Sequence, residues 1–176
     1  MQKDEQGGGS LWGWLGALWG VGGVLLLLGF AIYRLTPLAI EALKSPLTAI
    51  QWIALIAFTI FMAHSEGYRG FQKAFSPRVA ARAKHLRDEP TFIRVLLAPF
   101  FCMAYFAAPR RRRIAAYALT TGVILLVVLV QRLDQPWRGI VDTGVVIGLG
   151  WGVLATLVYW FRAMRGDELP VPAEVA

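Results

Sequence analysis

Residues 11–33 read LWGWLGALWGVGGVLLLLGFAIY, 23 residues without a Lys, Arg, Asp or Glu. A helix that crosses the hydrocarbon core of a bilayer needs about 20 mostly apolar residues. The run meets that length, and at such depth backbone polar groups are satisfied only in a helix or a closed barrel. A secretory leader has a basic start and an apolar region of about 7–15 residues. Here Asp4 and Glu5 stand beside Lys3 in the polar tail 1–10, and the apolar run is longer. The stretch therefore reads as an uncleaved first span.

Three more uncharged runs lie outward of it, at 47–64, 114–131 and 143–161. Aromatic residues sit near their ends: Trp12, Trp14, Tyr33, Trp52, Tyr117, Tyr159 and Trp160. That is where amphipathic rings settle at a membrane–water interface. Composition agrees, with 57% hydrophobic and 16% charged residues. Soluble domains average about 45–50% and 25%, so lipid has to cover much of this chain. The expected fold is an all-α integral membrane protein with a four-helix transmembrane bundle. It forms one domain over 11–161, without internal repeats, followed by a tail over 162–176.

Residues 95–109 leave two arrangements open. They are uncharged but only 15 residues long, and Pro99 would kink a helix there. At about 1.5 Å per residue they reach roughly 22 Å, short of the roughly 30 Å hydrocarbon core. If they span, there are five spans, and the lysines and arginines divide 10 to 8 across the membrane. If they form an interfacial or re-entrant helix, the division is 14 to 4, with only Arg34, Lys44, Arg132 and Arg138 on the poor side. The positive-inside rule favours the second. It puts both termini and a basic segment, 65–113, in the cytoplasm of a multi-pass protein of the plasma (inner) membrane. Thr36–Ser45 reads as a separate short helix capped by Thr36, with Pro37 in its first turn. The tail from Gly166 reads as disordered.

Two glycine sets carry a packing signal. Gly144, Gly148 and Gly152 make two GxxxG steps, and Gly13, Gly16, Gly20 and Gly23 fall on one helical face. Small residues at this spacing let helix backbones approach closely in lipid. The partner helix belongs either to the same chain or to a second copy.

Three polar features are candidate binding sites for a headgroup or a protein partner. His64, Glu66, Tyr68 and Arg69 stand at the expected end of the second span. They suit either an anionic headgroup, acid–base chemistry, or a plain helix end with Glu66 paired to Arg69. Ser76-Pro77 reads as a helix start, after which Arg78, Arg82 and His85 recur beside a stripe of Val79, Ala83 and Leu86. With Arg87 they suggest an amphipathic helix on anionic lipid. Arg110, Arg111, Arg112 and Arg113 precede the third run as a topological anchor, or as a phosphate-binding cluster.

The pI of 10.1 does not imply nucleic acid, because the arginines abut apolar runs and no nucleic-acid motif accompanies them. No cofactor and no metal ligand set is expected: His64 and His85 are the only histidines, and Cys102 is a lone cysteine in an apolar run. No charge lies inside the four runs, which disfavours proton relays and intramembrane catalysis. Three function classes remain. The first is a non-catalytic scaffold, assembly or accessory subunit, with anionic phospholipid and a membrane-protein partner or second copy as its contacts. The second is a small oligomeric transporter or channel component. The third is an interfacial enzyme using His64 and Glu66.

Overall fold

The computed structural model describes residues 10–176, which are all-helical, with 80% helix and no strand. Helix α1 spans Leu11–Lys44 and α2 spans Ala49–Met62. A π-helical segment, Ala63–Phe75, joins α2 to α3, Ser76–Asp88. Two short helices follow, α4 (Phe92–Leu96) and α5 (Ala98–Cys102), then α6 (Arg110–Val130) and α7 (Trp137–Arg165). Four helices are long and apolar enough to cross a membrane: α1, the continuous Ala49–Asp88, α6 and α7.

Caps set several of the ends. The Ser10 hydroxyl accepts from the Gly13 N–H at 3.1 Å. Thr48 and Gln51 form a reciprocal capping box at the start of α2. Gly166 closes α7 in the left-handed conformation, φ 89°, which glycine adopts without a Cβ penalty.

Two boundaries expected at prolines are absent. Thr36 does not start a helix; its hydroxyl donates to the Ile32 carbonyl at 2.7 Å, and α1 runs on through Pro37. Likewise the second long helix does not end at His64, and Ser76 is helical rather than a cap. Its hydroxyl hydrogen-bonds Thr156 at 2.9 Å instead. Pro77 removes one helical N–H where the wide π turns give way to α3, so the helix changes its winding there rather than breaking.

α1 and α7 run antiparallel, because Gly139 near the start of α7 meets Leu38 and Ala42 near the end of α1. The helix Ala49–Asp88 runs parallel to α7, meeting it through Phe58 at Gly144, Phe71 at Gly152 and Ser76 at Thr156. The core joins Ala17, Val21 and Val24 of α1 to Val79, Ala83 and Leu86 of α3 and to Leu149 of α7.

Only three of the four long helices make this bundle. None of the 21 residues of α6 is buried. It touches the rest in its first half, where Arg112 pairs with Glu174 and, at mid-helix, Thr120 hydrogen-bonds Tyr105. Gly122, its one glycine, has nothing within 4 Å. Ala118 and Gly122 make a small-xxx-small step on α6, yet none of its residues is buried against another helix. The expected four-helix bundle is therefore three packed helices and one that stands apart.

Residues 92–109 form a hairpin on α1. Val95 lies at Gly16, Ala98 at Gly20 and Pro99 at Gly23, after which the chain turns back to Arg82. The segment rises along α1 and returns to the end of the bundle it came from, so a five-span path has no counterpart. The tail is not loose either: residues 173–176 dock on this hairpin. Reporter fusions after Asp88, Arg113 and Ala176 are expected on one side of the membrane, and one after Asp134 on the other. Opposite sides for Asp88 and Arg113 would mean that the hairpin crosses.

Candidate functional site

α3 carries the densest polar contacts in the chain. Its expected amphipathic character does not materialise, since Val79, Ala80, Ala83 and Leu86 are buried and so is Arg82, at 2% exposure. Three alanines let α3 sink between α1 and α7 instead of lying on a surface. Arg82 is thus unavailable to a headgroup, contrary to its sequence reading. Its Nε donates to the Phe101 carbonyl at 2.6 Å. Nη1 donates to Ala173 and Glu174, and Nη2 to Phe106 and Ala107, at 2.9–3.1 Å. The guanidinium also stacks over the Phe101 ring, 4.2 Å from its centre.

One turn earlier on α3, Arg78 is half-buried and its Nε has no hydrogen-bond partner. Arg112, at the start of α6, clamps the Glu174 carboxylate with two guanidinium nitrogens, Nη2 to Oε1 at 2.9 Å and Nε to Oε2. The Arg112 hydrogen bonds, aided by the charges of Arg78 and Arg82, hold the Glu174 carboxyl below its usual range. Arg112 alone pairs with this carboxylate; Arg78 and Arg82 act on it by charge from beyond ion-pair distance. Arg110, Arg111 and Arg113 are exposed beside them. Arg87 is turned away, paired with Asp88 at 2.7 Å and lying over Trp14.

The second polar group is the π segment. It does not lie at a helix end, as its sequence suggested, but beside the middle of the apolar run of α7. The ten steps from Glu66 to Ser76 run alongside the eight from Gly148 to Thr156, as the squat π winding requires. Glu66 faces α7, with Oε2 closed off and unpartnered, and it makes no ion pair with Arg69. Gln72 accepts from the Trp151 indole at 2.8 Å. His64, Arg69 and Lys73 are exposed, with the His64 ring 5.8 Å from Tyr68 and Lys73 over the Tyr68 ring. His64 and Glu66 are therefore not assembled into one site.

Both glycine sets face elements of the same chain. A Cβ would lie 2.7 Å from Glu66 Oε2 at Gly148, 2.6 Å from Phe71 at Gly152 and 2.6 Å from Phe58 at Gly144. On α1 it would lie 2.9 Å from Val95 at Gly16 and 2.7 Å from the Cys102 sulfur at Gly20. Gly13 abuts the Arg87 carbonyl and Gly23 abuts Pro99.

Sequence reasoning missed Glu174, Gln72, Trp151 and Asp142. Asp142 is buried at 3% exposure, 3.8 Å from Arg138. Nothing in local spacing marks Glu174, Gln72 or Trp151, whose partners come from distant segments, whereas Asp142 stands four residues after Arg138 on α7 and that spacing was readable. Among the described residues no group of three His, Cys, Asp or Glu side chains is arranged to hold a metal. Comparison of the chain with protein-family models, curated proteins and solved structures found no match.

Three outcomes are expected. Gly148→Leu lowers stability in detergent by about 1–3 kcal/mol through overpacking, whereas Ile147→Leu, at an exposed position, is neutral. Equal thermal midpoints for the two would refute the close contact. Arg82→Met strands buried carbonyls at about 1–3 kcal/mol each where water cannot refill them, so its midpoint falls well below that of Arg87→Met. The Glu174 contact has a signed pH dependence. Because the folded pKa is depressed, its contribution is complete above the ordinary value of 4.5 and is lost as pH falls through the lower folded value. A fluorophore at Ala173 gains mobility only on acidification below about that ordinary value, and Glu174→Gln removes the transition.

Proposed function

We propose that this chain is a non-catalytic integral membrane protein, a scaffold, assembly or accessory subunit, that binds anionic phospholipid headgroups through its basic end. One observation carries the reading: Arg112 clamps the Glu174 carboxylate with two guanidinium nitrogens, with exposed Arg110, Arg111 and Arg113 beside it and the charges of Arg78 and Arg82 acting on the same carboxylate. Arg112 stands two residues before the apolar run of α6, at the depth where headgroup phosphates lie. Guanidinium forks match phosphate oxygens in pairs, and each cation near an anionic surface contributes about 1 kcal/mol. The basic end faces the cytoplasm of the plasma (inner) membrane in this reading, with both termini there. Setting aside Arg69 and Lys73, which lie beside the apolar part of α7, the bias is still 12 to 4. α6, none of whose residues is buried, is the span free to meet another membrane protein or a second copy.

A second reading, a small oligomeric transporter or channel component, draws on the π segment. Charged and polar groups at bilayer depth are costly, and they commonly mark a permeation path. Exposed His64, Arg69 and Lys73, together with the enclosed Glu66, fit such a path only if other subunits wall it off. The enzyme reading loses its basis, because His64 and Glu66 face different surroundings.

The test replaces Arg78 and Arg112 with glutamine and leaves Arg82 and Arg110, Arg111 and Arg113 in place. Purified protein is titrated with short-chain phosphatidic acid, with phosphatidylcholine as control, at low and moderate salt. Salt-sensitive binding that drops at least tenfold in the double variant is expected. Unchanged binding would refute the headgroup reading, and ion flux in liposomes that depends on Glu66 would put the transporter in its place.

A further inference from the structure

We infer that the Arg78–Arg112 pocket is a phosphate receptor shut by the chain's own Glu174, and that a phospholipid headgroup and this carboxylate compete for it. The inference rests on the headgroup reading above and adds an occupant and a switch. The Glu174 carboxylate is held as a phosphate would be, with two oxygens on two nitrogens of one guanidinium. It leaves the pocket under-neutralised. Arg78 and Arg82 have no ion-pair partner among the described residues, and the buried Arg78 Nε makes no hydrogen bond. A phosphate brings more acceptor oxygens than a carboxylate, and can satisfy Arg112 and Arg78 together.

The occupant is held by side-chain contacts and single backbone bonds rather than by helical structure. Residues 167–176 form no helix; beyond Arg112 they hold to the rest through Arg82, through Asp167 at the end of α7 (its N–H to the Arg162 carbonyl at 3.1 Å, its carboxylate 3.7 Å from the Arg162 guanidinium), through Val175 against the core, and through Ala176 N–H to the Ala107 carbonyl at 3.4 Å. Glu174 itself has a left-handed backbone, φ 47°, which a non-glycine residue adopts at a cost. Releasing its side chain from Arg112 relaxes that constraint. When the tail lifts, Arg82 gives up its two Nη1 bonds to Ala173 and Glu174 and keeps the three to Phe101, Phe106 and Ala107, which hold its side chain in position. The pocket floor therefore stays in place when the tail lifts.

The source of the phosphate is a lipid rather than a soluble anion. Arg112 opens the α6 apolar run, and Arg78 follows the Ser76–Thr156 contact by two residues, near the end of the α7 apolar run at Phe161. Both guanidinium groups thus stand at the edge of the apolar zone.

The experiment compares wild type, Glu174→Gln and Glu174→Gln/Arg112→Gln, full length and in neutral detergent, titrated with short-chain phosphatidic acid and separately with inorganic phosphate. A fluorophore at Ala173 reports tail mobility. An occupied receptor shows an affinity reduced by the fraction of time it is open. Glu174→Gln is therefore expected to bind the lipid about 5–10-fold more tightly than wild type, and the added Arg112→Gln to abolish the gain. In wild type the lipid, and not phosphate at equal concentration, frees the fluorophore. Equal affinities for wild type and Glu174→Gln, with an unmoved tail, overturn the competition and leave headgroup binding intact. Inorganic phosphate binding as tightly as the lipid overturns the lipid assignment. Absence of lipid binding in every variant removes the headgroup reading and this inference with it.

Discussion

A guanidinium has five N–H groups, and in this protein Arg82 spends all five on backbone carbonyls. No carboxylate pairs with it. A buried charge is tolerable only where its lost hydration is replaced in full, and five aligned carbonyl dipoles do that here. The reverse dependence is as strong. Phe101 ends the short helix α5, and Phe106 and Ala107 lie in the irregular return of the hairpin, where no helix takes up their carbonyls. Ala107 and Glu174 both have φ of 47°, and both give their carbonyls to Arg82. One side chain from a helix thus holds two irregular segments in conformations that neither would keep alone. Those segments in turn position Arg112 and Glu174.

What brings Arg82 to that place is close packing of helices. α3 approaches α1 because Gly13 and Gly16 present no side chain to Arg87 and Leu86. The hairpin comes in over Gly20 and Gly23 by the same means. On the other flank Gly144, Gly148 and Gly152 admit Phe58, Glu66 and Phe71. In lipid the gain comes from van der Waals contact, which decays within an ångström or so of separation. The missing Cβ atoms therefore let these helices join the bundle. α6 carries only one such step, Ala118 to Gly122, has nothing within 4 Å of Gly122, and stands outside.

The helices were legible where physics is local. Apolar length marked all four long helices, and glycine spacing marked the faces that now meet neighbours. Boundaries were misread where proline suggested a stop. Thr36 and Ser76 each had an alternative partner, the Ile32 carbonyl and Thr156, which left the helix continuous. The arginines were indistinguishable by spacing. Arg78 and Arg82 lie one turn apart on α3, yet one is sealed among carbonyls and the other borders a carboxylate 96 positions away. That difference depends on where the tail and hairpin return, and no periodicity encodes it. Glu66 was misplaced for a related reason. A polar stretch after an apolar run reads as the end of a span, whereas the helix continues and carries the polar residues alongside Gly148 and Trp151.

The π winding connects these observations. From Met62 the helix must keep its contact with α7 while bringing Ser76 to Thr156 and α3 against α1. An α-helix advances about 1.5 Å per residue, so ten residues would overrun the eight of α7 they accompany by about 3 Å. Wider turns take up that excess and also rotate the side chains. Glu66, Gly67 and Phe71 then fall on the α7 side, and His64, Arg69 and Lys73 fall on the open side. Uniform α-winding would shift Arg82 relative to the carbonyls it binds. The polar π segment and the buried arginine are therefore two ends of one constraint: the register that puts Glu66 in the space left by Gly148 is also the register that closes the Arg82 site.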